Sequence, residues 1–370
     1  MLKKYFRNPL CILLISIFSI NSMADACTGI MLFGEDGTTV RARTMEWGSF
    51  DLFPELAIVP PGYEMSSIMP DGNEGANWSV RYGYVSIVGL GRLTATDGMN
   101  EAGLSAGVFY LPGFADYPEF NPESRARSLS PSDVVGYILS NFATVSEARE
   151  GISEVQIVSV EDEALGFPAP IHFFVADSSG DRLVIEVVGK QLMLYDAPLG
   201  VITNSPTYDW HMTNLRNYLN LQATGLPERE LEGQSFAPLG AGSGMIGLPG
   251  DFTPPSRFVR AVAFSQTARL TEGGSDTVRE AFRILDNFNV PVDAVSEDEI
   301  HGLPGLVLSA TQFTSAADMK ELQYYYHTQF NRRVRMIDLS EIDFSALGGI
   351  PVVRPLDEAR EEDIKIIAVD

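Results

Sequence analysis

The 370-residue sequence predicts an α+β fold in which largely antiparallel sheets are layered with helices. Two observations support this class. Segments with strand character come in blocks that alternate with helical blocks, in the order strands, helices, strands, helices, strands. Neighbouring strand segments are joined by short turns, which connect antiparallel strands but not parallel ones. A doubly wound parallel fold would instead alternate single strands with single helices.

The first block of strands fills the region after residue 27. Segments rich in β-branched and apolar residues occur at 28–34, 38–47 and 84–90, and the turn sequence EDG separates the first two. Residues 93–111 predict two more strands around a turn that contains Gly and Asn. If the first two segments form a hairpin, part of the second strand lies beside the start of the first strand.

The later blocks are predicted in the same way, from apolar periodicity and from turn residues. Residues 131–150 predict a helix, with Pro131 suited to its first turn. The other predicted segments are strands at 171–177, 182–188, 190–197 and 200–206, helices at 209–221, 255–270 and 276–289, and a final β region at 306–339, with long loops at 161–170 and 221–244. Neither loop resembles a linker, so we expect a single catalytic domain over residues 27–370.

The first 26 residues predict a secretory signal peptide. A positively charged start precedes an apolar run from Leu10 to Ile20, and Ala24-Asp25-Ala26 has the small-x-small pattern of a cleavage site. We therefore expect export, to the periplasm, and a mature chain that begins at Cys27. A lipoprotein signal, which also ends before a cysteine, and an uncleaved anchor helix remain alternatives.

Composition excludes several classes of function. Of the two cysteines, Cys11 lies in the leader, so a mature chain has one thiol and no internal disulfide. The formal net charge of −23 and the lack of a basic cluster argue against nucleic acid as a partner and against stable membrane association after cleavage. The sequence G-x-G-x-x-G at 242–247 follows no clear strand, so we do not interpret it as a nucleotide site. The scattered histidines predict no metal site.

A cysteine at the mature N-terminus carries two reactive groups on one residue. Its thiol is a nucleophile, and its α-amine, with a reference pKa of roughly 7.7–8.0, is a base of suitable strength to take the thiol proton. In the predicted hairpin, Arg43 would support the thiolate and Glu46 would hold the ammonium. Solvated strand positions are the alternative for both charged residues.

Two further positions are candidates with structural alternatives. Asn204, in TNSP, can donate its side-chain amide to an oxyanion, although Asn, Ser and Pro are also ordinary turn residues. Arg257 lies in the first turn of a predicted helix, where a cation is unfavourable to the helix dipole. That position makes Arg257 a candidate site residue, with an ordinary helix position as the alternative.

Five sequence blocks, in order, resemble the choloylglycine hydrolase family of conjugated bile acid hydrolases and penicillin V acylases. They are CTGI, RTMEWG, DGMNEAGL, TNSPTYDWHMTNLRNY and GLPGDFTPPSRFVRA. The resemblance implies the N-terminal nucleophile hydrolase fold, a four-layer αββα sandwich. It also implies catalysis without a cofactor and a homotetramer.

The resemblance assigns roles to matching positions. It implies that Cys27 is the nucleophile, that Arg43 lies beside the thiol, that Asn204 belongs to the oxyanion hole and that Arg257 belongs to the same network. Two positions depart from the commonest pattern. Glu46 stands where the family usually has Asp, and Tyr110 stands where bile acid hydrolases typically have Asn.

Tyr110 favours one branch of the family. Its backbone N–H can still join the oxyanion hole, and penicillin V acylases commonly have Tyr at this position. We therefore expect an exported amidase of the penicillin V acylase type, acting on a small-molecule acyl amide such as penicillin V or an N-acyl-homoserine lactone. Met45, Trp47 and Tyr110 are expected to line its acyl pocket. A conjugated bile acid hydrolase and a non-enzymatic lipoprotein remain alternatives.

Overall fold

The computed structural model describes residues 27–49, 51–89, 91–291 and 307–368, and the predicted leader lies outside them. The helices are α1 Val134–Asn141, α2 Val145–Glu154, α3 Tyr208–Asn214, α4 Pro254–Gln266 and α5 Gly274–Leu285. The strands are β1 Thr28–Phe33, β2 Thr39–Ser49, β3 Glu55–Val59, β4 Glu64–Ile68, β5 Glu74–Ser79, β6 Tyr84–Val88, β7 Ala95–Asn100, β8 Ser105–Tyr110, β9 Ser128–Leu129, β10 Gln156–Ile157, β11 Ile171–Ala176, β12 Arg182–Val188, β13 Gln191–Asp196, β14 Arg229–Leu231, β15 Gln234–Phe236, β16 Val307–Asp318, β17 Gln323–Thr328, β18 Arg335–Asp338 and β19 Val352–Pro355.

Two antiparallel sheets form the centre of the molecule. The first sheet has the strand order β1-β2-β16-β17-β18, and the second has the order β13-β12-β11-β8-β7-β6-β3-β19. Helices α4 and α5 pack on β1 and β2, whereas α1 packs on β7 and β8. The layers are therefore helices, sheet, sheet and helices, which confirms the predicted αββα sandwich.

Strand β2 connects the two sheets through its alternating side chains. Successive side chains point to opposite faces, so Arg41, Arg43, Met45 and Trp47 share the face towards the second sheet. Buried Arg41 forms an ion pair with buried Asp97 of β7, with 2.7 Å between Nη2 and Oδ2. Asp97 also accepts hydrogen bonds from Ser315 and Tyr324. This buried cluster therefore joins β2, β16 and β17 of the first sheet to β7 of the second sheet.

Several predicted boundaries were wrong. The helix predicted over 131–150 is a short 3-10 turn followed by two α-helices, because Phe142 is extended and Thr144 caps a new helix by accepting the Glu147 N–H. Residues 200–206 form no full strand, and only Ile202 bridges to β1. The loop predicted at 221–244 contains the short hairpin β14–β15. Among the described residues, no helix is long and apolar enough to cross a membrane.

Candidate active site

The first hairpin brings Cys27 to the middle of β2. Strands β1 and β2 form the predicted hairpin, in which Thr28 lies opposite Thr44 and Gly29 opposite Arg43. The Cys27 thiol is buried, and its Sγ lies 3.8 Å from the Met45 Sδ and 4.0 Å from the Glu46 carbonyl oxygen. Met45 therefore contacts the thiol itself.

A second segment reaches Cys27 through a two-residue bridge. Gly29 and Ile202 exchange backbone hydrogen bonds of 2.8 and 3.1 Å. A Cβ on Gly29 would lie 2.7 Å from Phe109 Cζ and 2.8 Å from Ile202 Cγ2, so only glycine allows this approach. The bridge places Asn204 against the start of β1, and the Cys27 nitrogen donates to Asn204 Oδ1 at 2.8 Å. That nitrogen is a peptide nitrogen in the full chain and becomes the α-amine if the leader is removed.

Arg257 joins the same cluster from helix α4. Its guanidinium donates to Asn204 Oδ1 at 2.7 Å, to Thr28 Oγ1 at 3.0 Å and to the Cys27 carbonyl oxygen. Burial lowers the pKa of Arg257 to about 10, so it still carries its positive charge at neutral pH. Asn204 uses its amide nitrogen to donate to the Tyr110 carbonyl oxygen at 2.8 Å. The structure thus connects Cys27, Asn204, Arg257 and Tyr110 by hydrogen bonds.

Arg43 approaches the thiol through Met45. One guanidinium nitrogen lies 3.4 Å from the Met45 Sδ, and another donates to the Val108 carbonyl oxygen at 2.6 Å. The guanidinium also stacks over the Phe109 ring at 4.4 Å. Arg43 is fully buried, so its charge acts on the thiol region with little screening by water.

Glu46 lies on the opposite face of β2 from Arg43. Its carboxylate accepts hydrogen bonds from the hydroxyl groups of Thr311 at 2.6 Å and of Thr44 at 3.0 Å. Burial raises the pKa of Glu46 to about 7. The hydrogen bond from Thr311 and the charge of Arg257 lower this pKa, but by less than burial raises it. The Glu46 side chain is therefore buried away from water and held mainly by hydrogen bonds from two hydroxyl groups.

This raised pKa predicts a pH-dependent stability. The ordinary pKa of Glu46 is 4.5, so the unfolded chain ionises this carboxyl first, and stability falls as the pH rises from about 4.5 to about 7. The loss is on the order of 3 kcal/mol. Glu46→Gln is expected to remove that part of the pH dependence, as measured by urea unfolding at pH 5 and pH 8. Glu64→Gln, at an exposed position, is the control. Equal pH dependence in wild type and Glu46→Gln would contradict the assignment.

Two buried histidines support the segment that carries Asn204. His172 contacts the Thr203 carbonyl oxygen at 3.1 Å and Glu186 at 2.9 Å, and His211 contacts the Asn204 carbonyl oxygen at 2.8 Å. Burial lowers the pKa of His211 to about 4, so it is neutral near pH 7. Sequence inspection missed this arrangement because the two histidines lie far apart in the chain. Among the described residues, no group of His, Cys, Asp and Glu could hold a metal ion.

An apolar cavity opens beside this cluster. Trp47 and Tyr110 line it, with their rings 5.5 Å apart in an edge-to-face arrangement, and Leu52, Val108 and Ile171 extend its apolar wall. Its volume is about 110 Å³, and it is partly open to solvent. Trp47 and Tyr110 thus line the pocket, as predicted. Met45 was also predicted to line it, but Met45 contacts the Cys27 thiol instead. Its apolar lining suits the apolar part of a small molecule.

Sequence and structure comparisons identify relatives of this chain. The family described as linear amide C–N hydrolases, choloylglycine hydrolase family, matches residues 27–350. A bile salt hydrolase/transferase from Clostridium perfringens is 30% identical over 321 residues, covering 85% of this chain and 93% of that protein. A penicillin V acylase from Pectobacterium atrosepticum is 27% identical over 370 residues, covering 94% of this chain and 90% of that protein.

Solved structures agree with this relationship. A cysteine-to-alanine mutant of the conjugated bile acid hydrolase from Clostridium perfringens superposes with a TM-score of 0.77 at 25% identity, over 92% of this chain and all of that chain. Penicillin V acylase from Agrobacterium tumefaciens gives a TM-score of 0.73 at 27% identity, over 92% of this chain and 94% of that chain. The fold is therefore that of the N-terminal nucleophile hydrolases. The chain belongs to the choloylglycine hydrolase family and is a linear amide hydrolase related to both bile salt hydrolases and penicillin V acylases.

Proposed function

We propose that this protein is an exported amidase of the penicillin V acylase type, with Cys27 as its N-terminal nucleophile. The leader sequence and the start of the family match at Cys27 support removal of residues 1–26. The observation that carries the proposal is the convergence of Asn204 and Arg257 on the Cys27 backbone, beside an apolar cavity. The enzyme acts in the periplasm.

In the proposed reaction, Cys27 supplies both the nucleophile and the base. Its α-amine takes the thiol proton, directly or through a water, and Sγ attacks the amide carbonyl carbon. Asn204 Oδ1 holds the amine in place. The amine then gives the proton to the leaving nitrogen as the C–N bond breaks, which leaves a thioester. Water, activated by the same amine, releases the carboxylic acid and restores the thiol.

The oxyanion of each tetrahedral intermediate needs hydrogen-bond donors already in place. We assign this role to the Asn204 side-chain amide and the Tyr110 backbone N–H. An amide nitrogen carries two hydrogens, and Asn204 gives one of them to the Tyr110 carbonyl. Arg257 fixes the side-chain oxygen of Asn204, which directs the amide nitrogen. Arg43 favours the thiolate through its buried charge.

The cavity supports an aromatic or aliphatic acyl group. Trp47 and Tyr110 offer an aromatic ring edge and face, which suit a phenoxyacetyl group or a flexible alkyl chain. Penicillin V and N-acyl-homoserine lactones are therefore the proposed substrates. Conjugated bile acids are the second candidate, because the bile salt hydrolase/transferase relative is 30% identical while the penicillin V acylase relative is 27% identical.

A substrate panel tests this proposal. Purified mature protein is first checked by intact mass for loss of residues 1–26 and for a free Cys27. Amine release is then measured from penicillin V, penicillin G, long-chain N-acyl-homoserine lactones and a glycine-conjugated bile acid. Preference for penicillin V or the lactones supports the proposal, and preference for the bile acid favours the second candidate. A lipid mass on Cys27 together with no turnover would favour a non-enzymatic lipoprotein.

We also propose that the protein forms the homotetramer that the family resemblance implies. The hairpin β14–β15 presents exposed Leu231 and Phe236, which are apolar groups that a neighbouring subunit can cover. The double variant Leu231→Asp/Phe236→Ser is expected to shift the mass measured by light scattering from four chains to fewer. An unchanged tetramer would show that this hairpin does not form the interface, and a monomeric wild type would refute the tetramer.

A further inference from the structure

The last described segment, residues 351–368, lies beyond the family match at 27–350, and its strand β19 pairs with β3 next to the loop that contributes Leu52 to the cavity wall. We propose that Arg360, in this segment, is a positioning residue that sets which acyl chains the cavity accepts, by holding Leu52 in place. The proposal deepens the proposed function, because it takes the cavity beside Cys27 as the acyl pocket.

Arg360 is attached to the loop that follows β2. Its guanidinium forms an ion pair with Asp51, with 2.7 Å between Nη1 and Oδ2, and Asp51 is only 9% exposed at its side chain. The guanidinium also lies over two aromatic rings, at 4.9 Å from Phe53 and 4.7 Å from Phe330. An arginine held by a buried carboxylate and two ring faces is fixed in position far better than an ordinary surface arginine.

The loop between β2 and β3 needs such support. Phe53 has a φ of 47°, a left-handed conformation that is unfavourable for a bulky residue. The other oxygen of Asp51 accepts the Phe53 N–H at 2.7 Å, and Arg360 covers the Phe53 ring. Asp51 and Arg360 therefore stabilise the backbone conformation that would otherwise relax.

This conformation determines where Leu52 lies. The Leu52 N–H donates to Gln312 Oε1 at 2.9 Å, and Leu52 forms part of the cavity wall together with Trp47 and Gly89. A Cβ on Gly89 would lie only 3.0 Å from the Leu52 carbonyl oxygen, so the two segments are in close contact. Gln312 on one side and Arg360 on the other thus clamp residues 51–53.

The terminal segment is itself anchored next to this loop. Strand β19 pairs with β3 so that Pro355 lies opposite Glu55, and the Leu356 N–H donates to the Pro54 carbonyl oxygen. The backbone that leads to Arg360 is therefore hydrogen-bonded to the end of the loop between β2 and β3. If Arg360 is replaced, Leu52 samples positions that no longer complete the wall, and only acyl groups long enough to touch Leu52 lose affinity.

The test compares Arg360→Met with Arg332→Met. Both arginines are about equally exposed and ion-paired, but Arg332 pairs with Asp286, away from the cavity lining. For Arg360→Met we expect the KM of a long-chain acyl amide to rise about five- to tenfold, with kcat and the KM of a short-chain acyl amide within about twofold of wild type. Asp51→Asn is expected to give the same pattern, and the double variant should not add to it.

Hydrogen exchange gives a readout that does not depend on turnover. Arg360→Met should speed exchange of the backbone amides of Asp51, Leu52 and Phe53, while Arg332→Met should leave them unchanged. Faster exchange with the selective KM change supports the proposal. Unchanged exchange at residues 51–53, or an equal KM change for long and short acyl chains, overturns it. A wild type that hydrolyses none of the amides refutes the proposed function instead, and hydrogen exchange then still decides whether Arg360 holds the loop.

Discussion

Cys27→Ala in the mature protein is expected to lower turnover by about 10⁴-fold or more while leaving the fold intact. The sulfur is the atom that attacks the substrate, and the α-amine, Asn204 and Arg257 cannot form the thioester without it. The side chain is small and buried, so its loss costs roughly 1–2 kcal/mol of stability. Turnover is measured by amine release, and folding by thermal unfolding.

Processing is the control for this variant. Alanine and serine are both small enough for a leader-peptidase site, and intact mass shows whether residues 1–26 have been removed. Cys27→Ser keeps an α-amine and a nucleophilic oxygen, so it should retain slightly more activity than Cys27→Ala. A correctly processed Cys27→Ala protein with turnover within about tenfold of wild type would refute Cys27 as the nucleophile.

The part of the fold that was predictable depends on local patterns. The hairpin β1–β2 follows from two β-rich segments around EDG, and its register brings Arg43 opposite Gly29. The strands β11, β12 and β13 follow from apolar runs separated by turn residues. Boundaries failed where a cap or a bridge decided them, as at Thr144 and Ile202, because one side-chain hydrogen bond can start or end an element.

The part of the site that was not predictable depends on contacts between distant segments. Nothing local to His172 or His211 shows that both would support the backbone beside Asn204. The same holds for Thr311, which reaches Glu46 from β16, and for Arg360, which reaches Asp51 from the end of the chain. Glu46 is bonded by the Thr44 and Thr311 hydroxyls, and its expected role of holding the Cys27 ammonium stays a prediction.

Asn204→Asp is expected to reduce kcat by about 10²–10³-fold, with KM within about threefold of wild type. Aspartate has the same shape and keeps an oxygen for the Cys27 amine and for Arg257, but it cannot donate a hydrogen bond. One amide hydrogen bonds the Tyr110 carbonyl in the resting site, and the other is needed only when the substrate carbonyl oxygen becomes negatively charged. Loss of that second donor should therefore affect the chemical step more than substrate binding. Steady-state kinetics on the best substrate of the panel measure both constants.

Asn220→Asp makes the same chemical change at an exposed position and is the matched control. It should leave kcat and KM unchanged, so that an effect of added negative charge on the whole protein is separated from an effect at the site. Asn204→Ala removes the acceptor as well as the donor, and we expect it to be slower than Asn204→Asp because the Cys27 amine and Arg257 both lose a partner. If Asn204→Asp lowered only the affinity for substrate and left kcat intact, Asn204 would be a binding residue, and the oxyanion would have to be stabilised elsewhere.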